Sequence, residues 1–395
     1  MTTTRPTFDD FLAWLEAGRE HGQVHYDDRQ QCWQVLGHPE AGIVLSDPVV
    51  FSSDLTALQP AQDDLALFQR GNLVRMDPPR HRVLRSLVNQ AFTPRVVAGL
   101  EPRIAELTTE LLDRAGERFD LVDALAYPLP VIVIADLLGV PTSDRGLFRR
   151  WADVLLGQEI DPDQGLVEAG EQAVSAVAPT VREMNAYFLE HIRSRRTHPG
   201  DDLTSRLIQA EVDGRRLAYE EIVGFVGLLL VAGHVTTTAT LGNSIVAFSD
   251  APDAAAEVRA DPDLLPGAIE EVLRMRTPFP RLARITTADA EVGGVHIPAG
   301  QVVLPWLAAA NRDARVFAEP QRFQLHRRPN PHLTFGHGVH FCLGAPLARL
   351  EARVALRLLL ERYRDIEVAA DEPVEHRNPW TMVAVSRLPL VVRPA

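Results

Sequence analysis

The chain has 395 residues, 46% of them hydrophobic and 24% charged, with a formal net charge of −13. That much apolar content in a chain of this length can bury a large core, and the negative balance excludes a general nucleic-acid binder, which needs a basic face. All 40 basic residues are arginine, and the two cysteines, Cys32 and Cys342, are too few for a disulfide framework.

Helical periodicity dominates. The first predicted helix, Asp9–His21, is acidic and amphipathic, and no basic segment leads into an apolar run near it; the expectation is a cytoplasmic protein without a secretory leader. Two short strands follow, Val24–Tyr26 and Cys32–Leu36, with Cys32 read as a small packed residue. Helices are then predicted over Pro78–Gln90, Pro94–Arg114, Pro130–Leu138, Asp144–Leu156, Glu171–Arg196, Leu203–Ala210, Tyr219–Ser249, Pro252–Asp261 and Leu264–Arg276. The most apolar run, Ile222–Gly233, is too short to span a bilayer and leads into threonines, so no membrane partner is expected. Strand signals return at Ala283–Thr287, Glu291–Ile297 (interrupted by Gly293-Gly294) and Gln301–Leu304. They recur at Ile366–Val368 and in the tail Thr381–Val392, after a helix at Ala345–Tyr363. Helices in the middle and small sheets made from the two ends indicate a mainly α fold with minor β. No linker or repeat divides residues 1–395, so a single domain is expected.

Four groups of residues carry chemistry. In the Tyr219–Ser249 helix, Gly224, Gly227, Gly233 and Gly242 each cost a helix interior about 1 kcal/mol. Their number predicts close packing against something flat. Within that helix, Ala232-Gly233-His234-Val235-Thr236-Thr237 places the Thr236 hydroxyl one turn from the Ala232 carbonyl, and such bonds bend helices. A local opening there would admit dioxygen and a water. Glu271 and Arg274, three apart, share a helix face and can pair. Arg349, Arg353 and Arg357 form a stripe on the last helix, read either as a solvated face or as a docking patch for an acidic electron carrier. The stretch Phe335-Gly336-His337-Gly338-Val339-His340-Phe341-Cys342-Leu343-Gly344 sets a cysteine at a helix N-terminus, where free N–H groups and the helix dipole favour a thiolate. Zinc is a poor reading of His337, His340 and Cys342, since no fourth ligand follows at a finger spacing. An inert buried cysteine is the other alternative.

Phe335, Gly338, Cys342 and Gly344, spaced F-x-x-G-x-x-x-C-x-G with His340 in the slot two before the cysteine, resemble the haem-ligand signature of bacterial cytochromes P450. The resemblance runs from the helix at Pro78 through the cysteine loop, with the two ends fitting by pattern. It implies heme b with Cys342 as the iron ligand and Phe335, Gly336 and Gly344 shaping the loop. Ala232, Gly233 and Thr236 would lie on the oxygen side, Thr236 being the catalytic residue. His81 and Arg85, on one helix face behind Met76-Asp77-Pro78-Pro79, would bind the haem propionates with Arg284 and His340. Glu271, Arg274 and Arg322 (within Pro320-Gln321-Arg322-Phe323) would form the family's scaffold triad. Substrate would meet the loop Ser53–Leu73 and the residues Leu229, Val235, Leu282, Ala283 and Met382. Asp63 and Asp64 in that loop are either solvated or face an amino sugar.

One departure stands out. The family's usual acid directly before the threonine is replaced by Val235, which cannot relay a proton. Ordered water at Thr236, or a substrate hydroxyl, would then complete the relay. An aliphatic residue in this slot also occurs among actinomycete macrolide hydroxylases, the members this chain resembles most in texture. The implied activity is hydroxylation or epoxidation of a bulky apolar natural product, a macrolide or related polyketide, using O2 and electrons from a ferredoxin and its reductase. The alternatives are a peroxide-using or non-redox haem-thiolate enzyme and a haem-binding sensor without turnover.

Overall fold

A computed structural model describes residues 7–56, 63–156 and 166–395. Its organising element is the helix Tyr219–Asp250, 32 residues long. Glu220 and Glu221 in its first turn complement the positive end of the helix dipole. Glu221 also accepts from the Ala218 N–H at 3.0 Å, satisfying one of the donors that a helix start leaves free. By length and composition this helix could cross a membrane, but two thirds of its most apolar window is buried inside the fold. Around it pack Asp63–Arg70, Pro128–Leu137, Arg145–Leu156, Leu166–Thr197 and Ala345–Arg362. We call Tyr219–Asp250 the central helix and Ala345–Arg362 the cysteine helix.

The glycines of the central helix allow close approach of neighbouring chain. A Cβ on Gly224 would lie 2.5 Å from the backbone of Gly71 and Phe68, one on Gly233 2.8 Å from Ile134, and one on Gly242 2.5 Å from Val385. The predicted helix Pro94–Arg114 is two helices, Pro94–Ala98 and Glu101–Asp113. Pro102 in the first turn of the second has no N–H to give and a ring that clashes one turn back, which breaks the run. Helices at His38–Ser46 and Asp63–Arg70 and a π-helical turn at Val122–Ala126 were not foreseen.

Small sheets come largely from the two ends, as expected. Five strands run in the order Val24–Asp27, Cys32–Val35, Val302–Pro305, Arg284–Thr286, Phe51–Ser52. The join between ends is parallel, Val303 opposite Trp33 and Pro305 opposite Val35. Ala290–Val292 and Val295–Ile297 form a hairpin whose turn takes Gly293 and Gly294 to φ of 58° and 78°, a region that glycine enters freely. In the three-stranded sheet, Tyr363–Val368 and Pro389–Pro394 are joined by Arg118–Asp120 from the middle of the chain, which the sequence reading missed.

Candidate active site

The cysteine loop is fixed at both ends and from both sides. The Cys342 N–H donates to the Phe335 carbonyl at 2.8 Å, closing the loop, and the cysteine helix starts three residues later. Gly338 has φ +69°, and a Cβ there would lie 2.9 Å from the Leu45 carbonyl, so this position requires glycine. Arg85 donates to the carbonyls of Val339 at 3.1 Å and Phe341 at 2.6 Å. Burial pushes the Cys342 thiol up, opposed by the N–H groups of Gly344 and Ala345 and then by Arg85 and Arg349. Cys342 as a residue is nonetheless exposed.

Beside it lies a cationic cluster. The rings of His81 and His340 stand 4.3 Å apart, and His340 Nε2 is 3.1 Å from the Ser53 hydroxyl. Burial, then Arg85, push His81 down to about 4; burial, then Arg284, do the same to His340. Burial also pulls Arg284 down to about 10, with Asp77 opposing and Arg75 adding to the fall. Among the described residues neither ring nitrogen of His81 has a hydrogen-bond partner, although both are buried. The site gathers Arg75, Arg85, Arg284 and two histidines around one carboxylate, Asp77, so its cations outnumber its anions among the described residues. The two propionates of a haem would supply negative charge and acceptors, so the residues present fit that group. Arg75, Asp77 and Ser53 were not picked out from sequence; Asp77 lies in the quoted stretch before His81 and Arg75 directly beside it, which was the available signal.

The scaffold is a buried network with one correction to its membership. Arg274 donates to both oxygens of Glu271 at 2.8 Å and to the carbonyls of Asn311 and Pro320, also at 2.8 Å. Both side chains are fully buried. Arg322, expected as the third member, points to solvent with its side chain 72% exposed, and only its carbonyl touches Arg274. Arg327 fills that place: it is 6% exposed and its Nε lies 3.0 and 3.2 Å from the two Glu271 oxygens. The turn at Arg322 directs its carbonyl inward, which sends the side chain out. Asn311 then accepts from Leu333 N–H at 2.7 Å and donates to Thr334 at 3.0 Å, tying the network to the segment that enters the cysteine loop.

The predicted arginine stripe is occupied by its own chain. Arg349 binds Glu270 at 2.7 and 2.8 Å, Arg353 pairs with Glu101 at 2.9 Å and Arg357 with Glu361 at 2.7 Å. The first two pairs brace the cysteine helix against its neighbours and the third lies within it, so each arginine of the stripe has a carboxylate partner.

On the oxygen-side turn, Thr236 donates to the Ala232 carbonyl at 2.9 Å, as its spacing predicts, and Thr237 to Gly233 at 3.2 Å. Leu228, Ala232 and Thr236, at i, i+4 and i+8, are partly exposed, as are Val231, Gly233 and Thr238 next to them. Val235 packs with Ala239, Met382 and Ala384 in a separate apolar cluster. Of the expected substrate residues, the structure thus brings Val235 and Met382 together. Leu229 belongs to the main core, while Leu282 and Ala283 pack against two other clusters. His234 is buried against the Tyr127 ring at 4.4 Å and held near 3 by burial, which bars it from the acid's role. Residues 57–62 of the expected substrate loop, and the side chains of Asp63 and Asp64, lie outside the described residues.

Comparison with known proteins agrees with this geometry. The family model for Cytochrome P450 matches residues 166–392. The cyclomarin C epoxidase CymV of Salinispora arenicola is 45% identical over 365 residues, covering 92% of this chain and 91% of that protein. The erythromycin C-12 hydroxylase of Saccharopolyspora erythraea is 45% identical over 387 residues, covering 96% and 94%. A mutant of P450 EryK in complex with erythromycin B shares the fold with a TM-score of 0.89 at 41% identity, covering 97% of this chain and 96% of that one.

Proposed function

The chain belongs to the cytochrome P450 family and is a monooxygenase of that family; from this premise we propose that it holds heme b on Cys342 and oxidises a macrolide or related polyketide by hydroxylation or epoxidation. His81, Arg85, Arg284 and His340 hold the propionates, joined by Arg75, and the whole chain forms one cytoplasmic domain around them. The observation that carries the reading is the cation-rich cluster next to the cysteine loop, with both His81 nitrogens unpaired among the described residues.

When bound, the haem supplies the redox chemistry by which dioxygen is divided, one atom entering the substrate and the other leaving as water. The chain's own residues do the rest. Arg85 fixes the loop through its two carbonyls, and Gly344 and Ala345 present N–H groups to the sulfur. Thr236 holds a proton at its hydroxyl, and ordered water or a substrate hydroxyl brings the proton that Val235 cannot. The likeness to an epoxidase and a macrolide hydroxylase favours a bulky apolar substrate. Electrons come from a ferredoxin and its reductase.

The test is a titration of the haem protein with erythromycin-type macrolides and cyclic peptides, read as a spin-state change in the absorption spectrum. Binding followed by electron-dependent oxygen insertion supports the reading. A protein that binds haem but consumes electrons with no such ligand, or turns over with peroxide alone, removes it.

A further inference from the structure

The N-terminal helix Phe8–Glu20 and the short helix Leu307–Ala310 meet at a small pocket away from the cysteine loop. Leu12, Leu15, Glu16, Arg19, Arg312 and Gln321 line it, and it has room for little more than one water-sized group. Arg19 caps the short helix: one Nη donates to the Ala309 carbonyl and the other to the Arg312 carbonyl at 3.2 Å. Its Nε is buried and has no partner among the described residues. Arg312 is 4% exposed. Its Nε donates to Gln321 Oε1 at 3.1 Å, while Nη1 is buried without a partner among the described residues.

The carboxylates near these two guanidinium groups are engaged elsewhere. Glu16 accepts from Gln321 Nε2 at 3.0 Å, Asp313 binds Arg315 and the His38 N–H, and Glu271 binds Arg274 and Arg327. No acid precedes Asp9 in the sequence. Burial, then Arg274, Arg276 and Arg19, pull Arg312 down to about 9, with Glu271 opposing. The Phe8 ring lies 5.6 Å from the Arg312 guanidinium but also 4.9 Å from that of Arg276, so one aromatic face is divided between two cations. Arginine keeps its proton, and Arg312 is therefore a buried charge without a counter-ion. Water in the pocket could accept from Nη1 but would not balance that charge.

We propose that this pocket binds one monatomic anion, a halide such as chloride, which accepts from Arg312 Nη1 and Arg19 Nε. The pocket is too small for sulfate or phosphate, and Leu12 and Leu15 give it an apolar wall suited to a weakly hydrated ion. The ion joins the N-terminal helix to the Asn311-Arg312 segment. Asn311 in turn holds Leu333 and Thr334, at the entry to the cysteine loop, so anion binding stabilises the scaffold from its outer side. The site is independent of the monooxygenase reading.

The test uses the haem protein in sodium chloride or bromide against sodium gluconate, whose anion is too large for the pocket, at constant ionic strength. Crystals grown with bromide should show an anomalous-scattering peak between Arg312 Nη1 and Arg19 Nε. In urea, the parent's unfolding midpoint should climb with chloride and level off as the site fills. Arg312→Gln should lose that climb, and Arg19→Gln should need severalfold more chloride for half of it. Where Arg312→Gln does not fold, the bromide map and Arg19→Gln decide. Density at this place without anomalous signal means water only and overturns the proposal. So does a midpoint in Arg312→Gln that climbs with chloride as steeply as the parent's. A bromide peak with no chloride dependence of the parent's midpoint is an adventitious ion only, and also overturns it.

Discussion

The hydroxyl of Thr236 donates to the carbonyl of Ala232 at 2.9 Å, one turn back along the central helix, while the next side chain toward the N-terminus, Val235, is packed away from it against Met382. One residue of helix thus separates the hydroxyl of a partly exposed residue from an aliphatic side chain in a closed cluster, because adjacent positions on a helix point about 100° apart.

Thr236→Ala removes the hydroxyl but little packing. Product formed per electron should fall about a hundredfold, the low end of what a positioned proton-transfer group contributes, with peroxide taking up the difference. Thr236→Ser should retain most of the coupling. Equal coupling in parent and Thr236→Ala would show that the hydroxyl has no such role.

Val235→Glu restores the family's usual acid by residue type but not by environment. Ala239, Met382 and Ala384 surround the position and offer no partner. The acid should be neutral, lower stability by about 1–3 kcal/mol in urea unfolding, and leave coupling no better than before. A more stable or better-coupled variant would mean that the slot is polar in solution.

Two arginines separate the scaffold's members. Arg327→Ala leaves Glu271 with one fewer buried cation and should cost about 3–5 kcal/mol, with haem content falling as the cysteine loop loosens. Arg322→Ala removes an exposed side chain and should change stability by no more than about 0.5 kcal/mol. Chemical denaturation of the two variants decides between them.

Asp313 links acid stability to the site. Burial pushes its carboxyl up, but Arg315 and the His38 N–H prevail and hold it at about 2. That His38 N–H, bonded at 2.8 Å, starts the helix whose Leu45 carbonyl lies against Gly338. An acid lowered in the folded state contributes stability above its unfolded value, and this is lost as pH falls from about 4 toward 2. Asp313→Asn should be less stable than the parent at neutral pH, and the gap should close over that window. A gap that does not change with pH would contradict the assignment.

The sequence by itself determined the turn geometry of the cysteine loop, the back-bonded threonine, the Glu271–Arg274 pair and the mainly α plan with sheets drawn from the ends. Each depends on local spacing: positions three or four apart share a helix face, and a glycine at positive φ can be read from its neighbours' turn chemistry. Tertiary structure decided what distance along the chain hides. Arg327, not Arg322, reaches Glu271, because a turn between them sets which side chain faces inward. The glycines of the central helix meet Gly71, Ile134 and Val385 from remote segments. Arg349, Arg353 and Arg357 look like one free stripe in sequence, yet each finds a carboxylate, two of them on other helices. The cysteine loop was legible because its residues are consecutive. The charge balance around it, with Asp77 brought beside His340 and Arg75 beside Arg284, exists only once the helices pack and exclude water.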